Sequence, residues 1–368
     1  MAVFNGQLRH NEIFGAIYNM IISQMVFADN IKDTKSTLVD MAKVDGSMYG
    51  DQKLYYATDS LHSYEWGNDA EAENLLKLHR PKAPEVQAIV LDQFRQIPLT
   101  LDEYMTKRAF ADEGTYAQFN SVMQGWIGDT KKIIDATTYN AFIGTEQTNV
   151  GKQMVNINLT AATEGLTGEE KARVRAGTIG QEMSKLLVEL TDVSRDYNDY
   201  GFIRSTSVDD LVFVWNSDYV AEIEKRDLPT IFHKDFVDKF AEHTLPARYF
   251  GTVNSASVAQ SNGTTIRSLI EQEVTDKDGH KYQLFAGDII PANVTLASGG
   301  SVVYPSYTVD NKVILKIYKK GAVPYMSAFE VGTNFFNPKS LTTNYYLTWG
   351  RNTLEHLKNY PFITVKEV

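Results

Sequence analysis

Apolar side chains return every three or four positions through Phe119, Val122, Met123, Trp126, Ile127, Ile133, Ile134 and Ala141. That period belongs to one face of a helix. A helix of ~30 residues, about 45 Å long, is predicted there. Asp112 and Thr115 are candidate caps at its start, and Gly144 is its stop. Gly125 and Gly128 leave two readings open, one continuous helix or a helix broken at either glycine, because a mid-helix glycine costs only about 1 kcal/mol. A second stripe runs through Ile179, Met183, Leu187, Leu190 and Val193. Ahead of it, residues 151–177 read as a loop and a short charged segment carrying Glu169, Glu170, Lys171, Arg173 and Arg175. Residues 11–27 read as an amphipathic helix within an N-terminal arm.

The remaining pattern is that of strands. Leu211, Val212, Phe213, Val214 and Trp215 form an unbroken apolar run between Asp209–Asp210 and Asn216. Such a run marks a strand buried on both faces. Ser217 and Asp218 are placed to cap a short helix reaching Arg226. Residues 85–101 alternate as a strand, with Val86, Ala88 and Val90 on one phase and Ile97, Leu99 and Leu101 later. Residues 40–57 are rich in Gly, Met and Tyr, while 58–83 are polar. Two extended arms around ~25 polar residues predict a long projecting hairpin, and a loop that long is usually functional. Asp278–Gly279 marks a hairpin turn within 273–284. Asp310–Asn311 marks another turn, between 302–309 and 312–318, and residues 341–349 read as a late strand. The fold class is α+β.

Composition narrows the chemistry. The 368 residues contain no cysteine, which removes thiol nucleophiles, iron–sulfur clusters, cysteine-bound zinc and disulfides. Hydrophobic residues make up 43% of the chain, enough for a core without a metal or disulfide staple. The formal net charge of −10 opposes broad, neutralising contact with DNA. The 20 Tyr and 18 Phe suit surfaces that become interfaces. No secretory signal or membrane span is expected. Residues 144–152 lack the glycine spacing of a phosphate loop, and Gln153 stands where Ser or Thr is needed. Asp276 and Asp278 lack the remaining ligands of a calcium loop, so a hairpin turn accounts for them. His233 and His243 have no metal-ligand spacing. The aromatic–basic stretches Tyr318–Lys320 and 345–351 read as strand edges and not as nucleic-acid stacking surfaces. No catalytic residue, cofactor or metal is expected, and the protein is not expected to be an enzyme.

Four stretches together carry a family resemblance: VDGSMYGDQKLYYATD (44–59), RPKAPEVQAIVLDQFRQIPLTLDEYMTKRAF (80–110), SRDYNDYGFIRSTSVDDLVFVWNSDYVAEI (194–223) and TNYYLTW (343–349). In this order the chain resembles the major capsid proteins of tailed double-stranded DNA phages, nearest to those of small short-tailed phages. Their fold is shared with encapsulins and the herpesvirus capsid floor. The resemblance implies an N-terminal arm (1–40), an extended loop (41–100), a peripheral domain with a spine helix (101–174), an axial domain (175–336) and a return to the peripheral domain (337–368). It implies self-assembly as hexamers and pentamers into an icosahedral shell within the virion, put together in the host cytoplasm. The shell encloses double-stranded DNA without sequence-specific binding, and a portal protein is the other partner. Because no long charged segment precedes the arm, a separate scaffolding protein is implied. Leu54, Tyr55, Tyr56, Tyr64 and Trp66 are the expected inter-subunit contacts. An encapsulin-like shell and a tail or adaptor protein are the alternatives.

Overall fold

A computed structural model describes residues 37–45, 52–63, 78–102, 113–146, 153–224, 243–258, 264–276, 278–292, 294 and 304–368. The expected helix at 11–27, Asp112, Tyr64, Trp66, Arg226 and His233 lie outside them. In chain order the first elements are α1 (Thr37–Ala42), β1 (Lys43–Asp45), β2 (Gln52–Ala57), β3 (Glu85–Asp102), α2 (Glu113–Gly144), β4 (Thr145–Glu146) and β5 (Met154–Ile157). Then come α3 (Leu159–Ala162), α4 (Gly168–Thr191), β6 (Leu211–Asn216), α5 (Ser217–Glu224), β7 (Thr244–Leu245), β8 (Gly251–Val253) and β9 (Ile266–Ser268). The last are β10 (Gln272–Thr275), β11 (Lys281–Leu284), β12 (Ser306–Val309), β13 (Val313–Lys319), β14 (Tyr325–Asn337), β15 (Thr342–Asn352) and β16 (Phe362–Glu367).

The core is built around β6. All six of its residues are buried, in a sheet ordered β5-β16-β13-β6-β7. Successive side chains of a strand point to opposite faces. Leu211, Phe213 and Trp215 therefore meet Ile179, Met183, Leu186 and Leu190 of α4. Val212 and Val214 meet Tyr139, Phe142 and Ile143 from the end of α2 on the other face. The sheet is sandwiched between two helices, as the unbroken apolar run predicts.

The long helix is continuous through both glycines, spanning 32 residues. A Cβ at Gly125 or Gly128 would meet nothing within 4 Å, so neither glycine is there for close packing. Thr115 lies inside its first turn and not ahead of it. The second helix begins earlier than its apolar stripe suggests. The charged segment is its first two turns, with Glu169 and Glu170 at the positive end of the helix dipole and Ala172 and Ala176 facing the core. Val193 lies beyond the helix end at Asp192 and is exposed. At α5 the capping acceptor is one residue earlier than expected: the Asp218 amide donates to Asn216 Oδ1 at 3.1 Å. Ser217 Oγ instead accepts from the Ala247 amide.

A second sheet, ordered β1-β14-β15-β3-β2, joins residues far apart in sequence. Antiparallel pairing runs from Thr342 opposite Asp102 to Asn352 opposite Leu91. Leu101 of this sheet packs on Met123 of α2. Strand β3 is a single long strand, and the early phase of Val86, Ala88 and Val90 is its open one. Ile89 and Leu91 are buried, while Val86, Ala88 and Val90 are exposed. The Asp310–Asn311 turn also differs from a hairpin. β12 pairs with β8 and β9, whereas β13 pairs with β6 and β16, so the turn hands the chain from one sheet to another. The 345–351 stretch is not a strand edge: β15 runs between β14 and β3, and Arg351 is buried. Nor is Tyr318 exposed, since β13 lies between β16 and β6.

Candidate assembly surface

The β2–β3 hairpin has two unlike faces. Its register sets Tyr56 opposite Val86, Leu54 opposite Ala88 and Gln52 opposite Val90. These side chains share one face, and it is open: Tyr56 is 65%, Val86 49%, Leu54 44% and Val90 42% exposed. Phe94, farther along β3 and past a register shift that puts it on the Leu91 side, is 54% exposed. A contiguous apolar row on a strand face is unusual on a soluble monomer and marks an interaction surface.

The opposite face rests on the protein's own body. Ala57 is buried. The Tyr55 hydroxyl is pushed up by burial and by the neighbouring Tyr360. Gln87 is held at both ends of its amide, donating to the His356 carbonyl at 3.0 Å and accepting from the Lys358 amide at 3.0 Å. The Asp92 carboxylate accepts from the Thr353 amide and hydroxyl, both at 2.7 Å. Gln93 accepts from Arg351 Nε at 3.0 Å and donates to Thr353 Oγ1 at 3.0 Å. These contacts fix which face looks outward. Beneath them His356 stacks on Phe362 at 5.1 Å and faces Asp199 Oδ2 through Nε2 at 3.0 Å.

The long sheet is locked to α2 by a buried polar group. The Tyr325 hydroxyl donates to Asp135 Oδ1, and Lys131 reaches Asp135 at 3.2 Å and Glu330 at 3.2 Å. Burial and the Asp135 charge raise the Tyr325 hydroxyl far above its ordinary range, so it remains a donor. At the far tip of β14–β15, Phe335, Phe336 and Leu341 are exposed. An open groove of about 650 Å³ runs between α2 and this sheet, lined by Ile127, Gly128, Glu330, Tyr345 and Leu347.

Of the residues singled out from sequence, Leu54 and Tyr56 lie together on the open face and Tyr55 lies on the inner one. Val86, Val90, Phe94, Phe335 and Phe336 were not foreseen. The signal for the first two was their pairing with β2, which cannot be read without the register. Asp276, Asp278 and His280 bring ligand atoms within 4.8 Å of one another. The Asp276 carboxylate already accepts from the Asp278 and His280 amides and the Tyr282 hydroxyl, and it faces His280 Nδ1. It organises the turn, where Gly279 takes a φ of 85°.

Comparison with known proteins agrees with a shell component. No curated protein sequence matches the chain. Among solved structures it is similar to the capsid of Staphylococcus phage Andhra, with a TM-score of 0.61 at 10% identity over 89% of this chain and 83% of that one. It is also similar to a chain in the structure of the head fiber and inner core protein gp22 of bacteriophage P68, with a TM-score of 0.58 at 10% identity over 89% and 83%. At that identity the likeness speaks for the fold. The family model of the Phi29-like phage major capsid protein matches residues 3–360, nearly the whole chain. The chain therefore belongs to the Phi29-like phage major capsid protein family, whose members are structural proteins of the phage shell.

Proposed function

We propose that this capsid protein assembles with itself as hexamers and pentamers into a closed icosahedral shell around double-stranded DNA. The β2–β3 hairpin braces neighbouring subunits. The observation that carries this reading is the unlike character of the hairpin's faces: an inner face buried and anchored on the subunit's own body, and an open apolar row. A shell of one chain needs heterologous contacts, with different surfaces on opposite sides of each subunit. Burying ~1,000 Å² of apolar surface is worth about 25 kcal/mol before entropy costs. Leu54 and Tyr56 contribute to the contact directly, Tyr55 supports them from behind, and Tyr64 and Trp66 contribute as well.

In this reading residues 1–40 are the arm, 41–100 the extended loop, 101–174 the peripheral domain with α2 as its spine, 175–336 the axial domain and 337–368 the return. The pairing of β14 with β15 argues for carrying the last boundary back to Tyr325. The net charge of −10 fits a wall that encloses DNA without gripping it. A separate scaffolding protein and a portal protein are the partners, and assembly takes place in the host cytoplasm.

The test is the double variant Leu54→Ser/Tyr56→Ser. Each side chain is worth about 1.5–3 kcal/mol on full burial, so the assembled fraction in sedimentation velocity is expected to fall at least ~tenfold while the subunit melts as before. Particles of normal yield and size would contradict the docking role, as would normal particles from a hairpin shortened between Ser60 and Ala83.

A further inference from the structure

The hairpin's outgoing strand ends at a single carboxylate that collects three hydrogen bonds. Asp59 Oδ2 accepts from Arg195 Nη1 at 2.8 Å, and Oδ1 accepts from the amides of Ile203 at 3.2 Å and Ser60 at 2.8 Å. One residue earlier, the Thr58 carbonyl accepts from Arg204 Nη2 at 2.6 Å. On the returning limb, ahead of β3, Lys82 stands 5.4 Å over the Phe202 ring. Both limbs of the hairpin thus close on one short segment, residues 195–204, whose Arg195 lies 136 positions from Asp59.

That segment is itself rigidly made. Ser194 and Arg204 exchange backbone hydrogen bonds at 3.0 and 2.8 Å. The Asn198 side chain bridges both backbone groups of Phe202, accepting from its amide at 2.9 Å and donating to its carbonyl at 2.8 Å. Arg195 also donates to the Gly201 carbonyl at 3.0 Å, and Arg204 Nε donates to Asn359 Oδ1 at 3.2 Å. Both guanidinium groups are therefore held in place before Asp59 arrives. An exposed ion pair alone contributes little to stability. This one differs by taking a backbone amide as well, and a charge-assisted bond to a fixed amide sets direction.

We propose that Asp59 is a positioning residue for assembly: clasped by Arg195 and the Ile203 amide, it fixes the angle at which the paired strands β2 and β3 are held against the subunit. The apolar row then meets a second copy of this chain already oriented. The inference rests on the docking reading above. Without the clasp, every docking event bears the cost of ordering the β2–β3 hairpin, so assembly requires a higher subunit concentration.

The experiment compares Asp59→Asn, Arg195→Gln and their double variant with Leu54→Ser/Tyr56→Ser, using full-length chain. Amide exchange is followed on unassembled subunits, and the threshold concentration for assembly is measured by light scattering. Loss of the clasp is expected to speed exchange at Ile203 and over residues 55–60 by about fivefold or more, leaving residues 211–215 unchanged. The threshold is expected to rise roughly threefold or more, with the double variant no worse than Asp59→Asn alone. Unchanged exchange in Asp59→Asn, or faster exchange with an unchanged threshold, overturns the clasp and leaves the docking row standing. Normal assembly of Leu54→Ser/Tyr56→Ser overturns the docking row. Should Asp59→Asn lose protection at 211–215 through misfolding, Arg195→Gln decides by the same two criteria.

Discussion

Gly144, the last residue of the long helix, is a glycine because of what lies against it. A Cβ there would stand 2.3 Å from the Tyr249 backbone oxygen, which no side-chain rotation relieves. Gly144→Ala is expected to destabilise the subunit by about 2 kcal/mol or more in urea unfolding. Sequence places the stop but gives no sign of the close contact that requires glycine there, since Tyr249 is distant in the chain. Asp59 makes a second prediction. Arg195, then the amides of Ile203 and Ser60, lower its carboxyl from 3.8 to about 2. A depressed carboxylate contributes above its unfolded value and loses that contribution as pH falls through its folded one. Protection of the Ile203 amide, corrected for intrinsic exchange, is thus expected to be flat above about pH 4 and to fall between 4 and 2. Loss of protection between pH 5 and 7 would contradict the assignment. Tyr55, grouped from sequence with its neighbours, faces the other way because a strand alternates. Its neighbours on both sides are apolar or aromatic, so the phase could not be chosen without β3.

At the scale of elements, legibility followed how many patterns competed. The run Leu211–Trp215 admits one reading, and the fold places it between α4 and the end of α2. In β3 both phases carry apolar residues, Val86 and Val90 on one and Ile89 and Leu91 on the other. Periodicity cannot rank them, and the open phase is the one that assembly is proposed to use. The start of α4 was hidden because residues 169–175 are charged and Gly177 resembles a break. A solvated first turn needs no apolar stripe, and helix dipole and propensity carry it. Gly125 and Gly128 in α2 lie with open space around their Cα atoms. Replacing both with Ala is expected to stabilise the unassembled subunit by roughly 1–2 kcal/mol from helix propensity, seen as a higher melting temperature. A lower one would mean that these positions need glycine for a reason that the fold does not show.

For the whole molecule, the α+β class and the family were legible from the order of motifs, while the sheet connections were not. β3 and β15 pair although some 250 residues separate them, and β12 and β13 part company across a short turn. Such choices are made by packing in three dimensions. The joint between hairpin and body is likewise long-range, through Gln87, Asp92 and Asp59. The account turns on one claim, that the row Leu54, Tyr56, Val86 and Val90 is open in the subunit because another copy covers it. Cryo-electron microscopy of assembled particles at side-chain resolution tests this directly. The expected map shows these four residues buried against a neighbouring subunit, with Gln87 and Asp59 still on their own chain. A map in which the row faces solvent, or folds onto its own subunit, would contradict it.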